Sequence, residues 1–158
     1  MTAHEHHAEA ATSLNALAFS ATVHCLTGCA IGEVLGMIVG TALGFSDAGT
    51  IALAVVLAFL FGYLLTSLPL LRSGMAFAAV VPLALASDTV SITIMEIVDN
   101  AIMLLIPGAM DATLADVRFW ASLAAALVIA GIAAYPVNRW LLARGKGHAV
   151  VHAQHHGG

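Results

Sequence analysis

The chain has 158 residues, of which 61% are hydrophobic and only 9% are charged, and its mean hydropathy is +0.98. Because soluble domains are far less apolar, this composition predicts an integral membrane protein. The net charge of −4 includes only five Lys and Arg residues, which argues against nucleic acid as a partner. The N-terminus has neither the basic start nor the cleavage site of a signal peptide, so we expect the first span to stay in the mature protein.

Four apolar segments follow one another along the chain, at 14–45, 50–71, 75–107 and 119–142. A membrane span needs about 20 residues, so the second and fourth segments fit directly, whereas the first and third are too long. We therefore expect spans near 25–45 and 90–110. The leading pieces, 14–23 and 75–86, are expected to be interfacial or half-helix segments, the second of them interrupted by Pro82.

These segments define a membrane domain over 14–146 between two tails, 1–13 and 147–158. Basic residues predict its orientation, because cytoplasmic ends are enriched in them. Arg72 follows the second span, and three more basic residues follow the fourth: Arg139, Arg144 and Lys146. Arg118 is the single basic residue on the opposite side. Both termini are therefore expected in the cytoplasm.

The polar anchors of the domain recur in the same order. Residues 33–36 (EVLG) resemble residues 96–99 (EIVD), 63 positions later, and residues 68–72 (LPLLR) resemble residues 135–139 (YPVNR), 67 positions later. Two spans separate the equivalent points, so the repeats of about 14–73 and 75–140 run in the same direction. The sequence predicts an all-α protein with four transmembrane helices as two like-oriented hairpins. Chance similarity between apolar helices is the alternative.

The first span carries an unusual polar stripe. Cys25, Cys29 and Glu33 are spaced at i, i+4 and i+8 and share one face of a helix, with His24 beside them. Ionisable groups within a membrane are costly and usually functional. The two thiols project side by side from one helix, a poor geometry for a disulfide, so we expect them to be reduced. Simple packing is the alternative for the cysteines.

The third span is the more polar partner. Asp88, Ser91, Met95 and Asp99 lie on one helical face, and an adjoining face carries Glu96, Asn100 and Met103. Such a helix cannot face lipid. Its carboxylates repel one another unless protons or a cation lie among them. The alternative is a hydrogen-bond network that only holds the helices together.

Glycine recurs at every fourth position of the first span, at Gly28, Gly32, Gly36, Gly40 and Gly44. A helix face without side chains allows another helix to approach closely. We expect the third span to pack on this glycine row, or a second copy of the chain in a homo-oligomer.

Seven of the eight histidines lie in the tails, where His-rich tracts are typical of transition-metal capture. They are His4, His6, His7, His148, His152, His155 and His156. Chelation without any role in transport is the alternative.

Four stretches are similar to those of a bacterial membrane family: 24–36 (HCLTGCAIGEVLG), 87–91 (SDTVS), 95–100 (MEIVDN) and 136–140 (PVNRW). The chain resembles the proteins grouped as domain of unknown function 4396 (DUF4396), over roughly residues 18 to 150. This resemblance implies a four-helix domain in a bacterial inner membrane. The resemblance does not imply any particular activity.

Our hypothesis is a non-enzymatic membrane protein that binds and transports a transition-metal cation, copper above all. Thiolate, thioether and imidazole ligands favour soft metals, and carboxylates favour harder ions. Glu33, Glu96 and Asp99 would form a midspan site, with a cytoplasmic mouth and flanking ligands formed by His24, Cys25, Cys29, Asp88 and Met95. No nucleotide cofactor is expected, since no phosphate-binding loop is present. The alternatives are a membrane redox or haem protein, and a structural or assembly subunit.

Overall fold

The computed structural model describes residues 3–144, with side chains from Leu14 onwards, and consists of four α-helices in chain order. They are α1 (Ala3–Leu43), α2 (Asp47–Arg72), α3 (Phe77–Leu105) and α4 (Val117–Ala143). All four are long and apolar enough to cross a membrane. The predicted all-α membrane protein with four spans is therefore confirmed.

Short connections follow α1 and α2, and each of them contains a glycine that ends the helix. Gly44 has φ +69° and Gly74 has φ +90°, a left-handed conformation that glycine adopts without a Cβ penalty. At the first of these ends, the amide of Gly44 donates to the Thr41 carbonyl and that of Phe45 donates to the Gly40 carbonyl, which closes α1 as a Schellman motif. The next helix begins at once, since the Ser46 hydroxyl accepts from the Gly49 amide.

The connection between α3 and α4 is longer and lies outside the spans. Its last turn is held by Thr113, whose backbone amide and hydroxyl both donate to the Asp116 carboxylate at 2.8 Å. These two hydrogen bonds lower the pKa of the Asp116 carboxyl. The turn places Asp116 directly before the first residue of α4.

The expected half-helix segments are wrong as separate elements. Residues 14–23 belong to α1 and residues 77–86 belong to α3, and neither helix is broken. Pro82, the sixth residue of α3, leaves the helix unbroken although it lacks the N–H that would bond the Ala78 carbonyl. At about 1.5 Å per residue, α3 is about 43 Å long, so it exceeds the hydrocarbon core and must tilt or protrude.

The glycine row packs against α2, and the expectation of α3 as its partner is wrong. A Cβ added to Gly28 would lie 2.7 Å from the Gly62 backbone, and one added to Gly36 would lie 2.6 Å from Ala54. Gly32 meets Ala58 still more closely, and Gly40 meets Thr50. The partner numbers fall as the α1 numbers rise, so the two helices are antiparallel. Gly44 lies outside this contact, because it forms the turn that ends α1.

The other helices complete a bundle. α3 packs on α4 and on α2, and α4 packs on α1. One buried hydrogen bond links α4 to α1: the Asn138 side-chain amide donates to the Thr22 hydroxyl at 2.9 Å. Nearer the end of α4, the Arg139 guanidinium donates to the Asn15 side-chain oxygen at 2.7 Å. α1 therefore has one face on α2, one on α4, and a third that meets α3.

Candidate functional site: the contact between α1 and α3

The polar stripe of α1 meets the polar face of α3. The Cys25 thiol contacts Ser91, the Cys29 thiol contacts the Glu96 carboxyl, and the Glu33 carboxyl contacts that of Asp99. Residue numbers rise together on both sides of the contact, so α1 and α3 run in the same direction. The structure thus brings together the ionisable side chains that the sequence singles out in two separate spans.

Three carboxyl groups lie close together in the C-terminal halves of α1 and α3. We call Glu33, Glu96 and Asp99 the acid cluster. Glu96 and Asp99 are buried and Glu33 is half-buried. Four oxygens of these carboxyls are buried without a hydrogen-bond partner: Oε1 of Glu33, both Oε of Glu96 and Oδ1 of Asp99. Asn100 does not relieve them, since its side-chain amide donates to the Glu96 backbone carbonyl.

Unpartnered buried carboxyl oxygens are expensive, because burial removes the water that would otherwise solvate them. Like charges this close repel, so ionising both the Glu33 and the Asp99 carboxyl is costly unless a cation lies between them. Each of these oxygens therefore needs a proton, a water molecule or a cation beside it.

The two glutamates do not face each other at one level. Glu33 contacts Asp99, whereas Glu96 contacts Cys29, about one helical turn earlier along α1. They remain near enough to interact electrostatically. Asp99, and not Glu96, takes the position opposite Glu33.

Sulfur atoms lie next to the acid cluster. Cys25, Cys29 and Met95 belong to one buried hydrophobic cluster, in which Cys29 and Met95 are 0% exposed. We call these three residues the sulfur cluster. Both cysteines are free thiols, as predicted. Met103 and Met37 lie in other packing clusters, so the structure does not join them to this one.

A second polar group surrounds Asp88. The Ser87 hydroxyl donates to Asp88 Oδ1 at 2.7 Å, the Thr66 hydroxyl of α2 lies beside the carboxyl, and His24 lies near enough to act on its charge. Asp88 Oδ2, Ser91 Oγ and His24 Nε2 are buried without a hydrogen-bond partner. This group contains the residues that the sequence analysis placed at a cytoplasmic mouth.

Along their helices, however, these residues lie near the middle. Ser91 is the central residue of α3, and Cys29 lies at the centre of the apolar part of α1, Leu14–Leu43. Asp88 and Cys25 therefore lie within one helical turn of the middle of their helices, and Asp99 lies nearer an end. The sequence-based spans were shifted because α1 and α3 continue through the leading pieces that were taken to be separate.

No preformed metal site is present among residues 14–144, where no three His, Cys, Asp or Glu side chains are arranged to hold an ion. The tail histidines proposed for metal capture lie outside the residues whose side chains are described.

Sequence reasoning missed Thr66 and the partner of the glycine row. A signal for both was present in α2, where Thr50, Ala54, Ala58, Gly62 and Thr66 recur at every fourth position. Such spacing puts small residues on one helical face, as in α1. Four of them receive the glycine row, and the fifth, Thr66, lies beside Asp88.

Residues 15–147, which include all four spans and both polar clusters, match the family described as domain of unknown function (DUF4396). The chain belongs to the DUF4396 family. The resemblance that the sequence motifs indicated is therefore confirmed. No curated protein and no solved structure matches the chain. For this DUF4396 protein, function must be argued from the contact between α1 and α3.

Proposed function

We propose that this protein binds a transition-metal cation, copper in the first instance, between α1 and α3 and carries it across the membrane. The observation that supports this most is the set of unpartnered carboxyl oxygens in the acid cluster, directly beside buried thiols. A metal cation would neutralise the charges that these carboxyls place in a low-dielectric environment.

The sulfur cluster favours copper over harder ions. Thiolate and thioether ligands prefer soft metals such as Cu(I), and Cys25, Cys29 and Met95 share one buried cluster. Binding requires the ligands to be deprotonated, and the neighbouring Glu96 carboxylate can accept the proton that Cys29 releases. Since no ligand set is preformed among the described side chains, binding also requires rotamer changes, for which Glu33, Glu96 and Met95 have enough rotatable bonds.

The parallel internal repeat is part of the same proposal. The facing pairs of α1 and α3 are 66 or 67 residues apart, close to the 67 residues between Pro69 and Pro136. Helices related by an axis along the membrane normal meet at equivalent depths, so this offset supports two like-oriented hairpins around the site. The other sequence match, of residues 33–36 with residues 96–99, has an offset of 63, so its two glutamates differ in depth by about one helical turn.

Both termini are proposed to be cytoplasmic in a bacterial inner membrane, because Arg72, Arg139 and Arg144 lie at the same end of the bundle. The homo-oligomer stays a prediction. The glycine row that would have allowed it is covered by α2 within the chain.

The proposal is tested by copper flux into vesicles that contain the purified full-length protein. Glu96→Gln removes a charge from the acid cluster but keeps the side-chain volume, so we expect flux to fall by roughly tenfold or more, which corresponds to about 1.4 kcal/mol or more of lost cation stabilisation. Asp111→Asn is the matched control, since Asp111 is exposed in the loop before α4. Equal flux in wild type and Glu96→Gln, with both proteins folded, would contradict the proposal.

A further inference from the structure

We propose that Asp88, with the hydroxyl oxygens of Thr66, Ser87 and Ser91, forms a binding site for a monovalent alkali cation of the size of Na⁺, separate from the acid cluster. We call these four residues the Asp88 cluster. The inference does not depend on copper binding, because its ligands and its cation differ in kind.

The ligand chemistry is that of a hard cation. Every candidate ligand in the Asp88 cluster is an oxygen, from one carboxylate and three hydroxyls, and hard cations prefer oxygen ligands. Thr66 comes from α2 and the other three from α3, so an ion here would join two helices. By contrast, the nearby candidate ligands from α1 are an imidazole and a thiol, which hard cations bind poorly.

The available oxygens are buried and free. Asp88 is 6% exposed and Ser91 is 0% exposed, and neither Asp88 Oδ2 nor Ser91 Oγ has a hydrogen-bond partner. Both side chains lie about one turn apart on the buried face of α3. Two unpartnered oxygens on one buried helix face are costly in this environment unless a cation or water joins them.

The Ser87 hydroxyl is suited to a ligand role because it has an alternative acceptor for its proton. It lies 2.7 Å from Asp88 Oδ1 and 3.1 Å from the Ala84 backbone carbonyl. A hydroxyl has one proton, so donation to Ala84 would free the Ser87 oxygen to face a cation at Asp88.

The charge balance selects a monovalent ion. Asp88 is the only carboxylate of this cluster, so an ion bound here has a single negative charge to balance. One positive charge makes the group neutral, whereas a divalent ion would leave a net positive charge buried between apolar helices.

The test is binding of ²²Na⁺ to the purified full-length protein in choline chloride buffer without copper. We expect saturable binding that unlabelled NaCl displaces. Asp88→Asn should abolish it, and Ser91→Ala should weaken it by about tenfold through loss of one ligand. The matched control is Thr93→Ala, which removes an exposed hydroxyl two residues from Ser91 that donates to its own helix, to the Thr89 carbonyl.

Absence of saturable ²²Na⁺ binding to the wild type would overturn the inference. So would unchanged binding in both Asp88→Asn and Ser91→Ala. Because Ser91→Ala is a small change, it keeps the test decisive if Asp88→Asn fails to fold. Copper binding measured in the same choline buffer separates this inference from the proposed function: a protein that binds ²²Na⁺ but no copper would contradict only the latter.

Discussion

Two faces of α1 make contacts of opposite character. Gly28, Gly32 and Gly36 of the glycine row meet the backbone of α2 so closely that there is no room for an added carbon atom. The stripe of Cys25, Cys29 and Glu33 meets α3 through ionisable groups, and several of the polar atoms there have no hydrogen-bond partner. The contact with α2 is typical of close packing between membrane helices. The contact with α3 buries ionisable groups, which lowers stability.

The glycine row also orients the polar stripe of α1. Gly28 and Gly32 directly precede Cys29 and Glu33, so the row that fixes α1 against α2 also fixes the direction in which the polar stripe points. The contact with α2 therefore holds α1 in place, and the contact with α3 is where we propose that the cation binds.

The largest expected effect comes from breaking the contact with α2. Gly32→Ala places a Cβ against the Ala58 backbone, which cannot move aside as a flexible side chain would, so we expect a loss of about 3 kcal/mol in the free energy of unfolding. Thermal and denaturant unfolding in detergent measure this loss.

Gly49→Ala is the matched control for that variant. A Cβ at Gly49 has its nearest neighbour at 3.4 Å, an ordinary contact, and the position lies in the first turn of α2. We expect a gain of up to about 1 kcal/mol from helix propensity. If both variants changed stability equally, close approach at the glycine row would not be what holds α1.

A smaller effect of opposite sign is expected at the contact with α3. Glu33→Gln removes one of two facing acids and offers Asp99 a hydrogen-bond donor, so the copper-free protein should gain about 1 kcal/mol. The same variant should lose the thermal shift that copper gives the wild type. Asp111→Asn, in the exposed loop, should change neither quantity. A destabilised copper-free Glu33→Gln would show that the acid cluster is a structural network.

Much of the helical architecture could be predicted from the sequence. Long apolar segments determine four spans, and the period of the polar residues correctly predicts that Asp88, Ser91, Met95 and Asp99 share a buried face. Periodicity also predicts the stripe of α1. These features depend on the residue pattern within a single helix, so they can be read from the sequence without knowing how the helices pack.

Features that depend on the relative rotation and length of helices were harder to predict. The sequence shows that the glycine row is a face but does not show which helix covers it, and the matching small residues of α2 were the missed signal. The starts of the first and third spans were misplaced because the spans were counted about 20 residues back from their outer ends, whereas α1 and α3 are longer and continue through the leading pieces. Counted along the full helices, Asp88 and Cys25 lie near the middle.

The most direct test of the central claim, that the contact between α1 and α3 binds a soft metal, is X-ray absorption at the copper edge of the full-length protein loaded with Cu(I). Cys25 and Cys29 are the only cysteines in the chain, so thiolate ligation can come from nowhere else. We predict sulfur in the first coordination shell, with fewer sulfur ligands after Cys25 and Cys29 are replaced by Ser and none after Met95→Leu is added. A shell of nitrogen and oxygen alone in the wild type, or a sulfur signal that the double replacement leaves unchanged, would contradict the account.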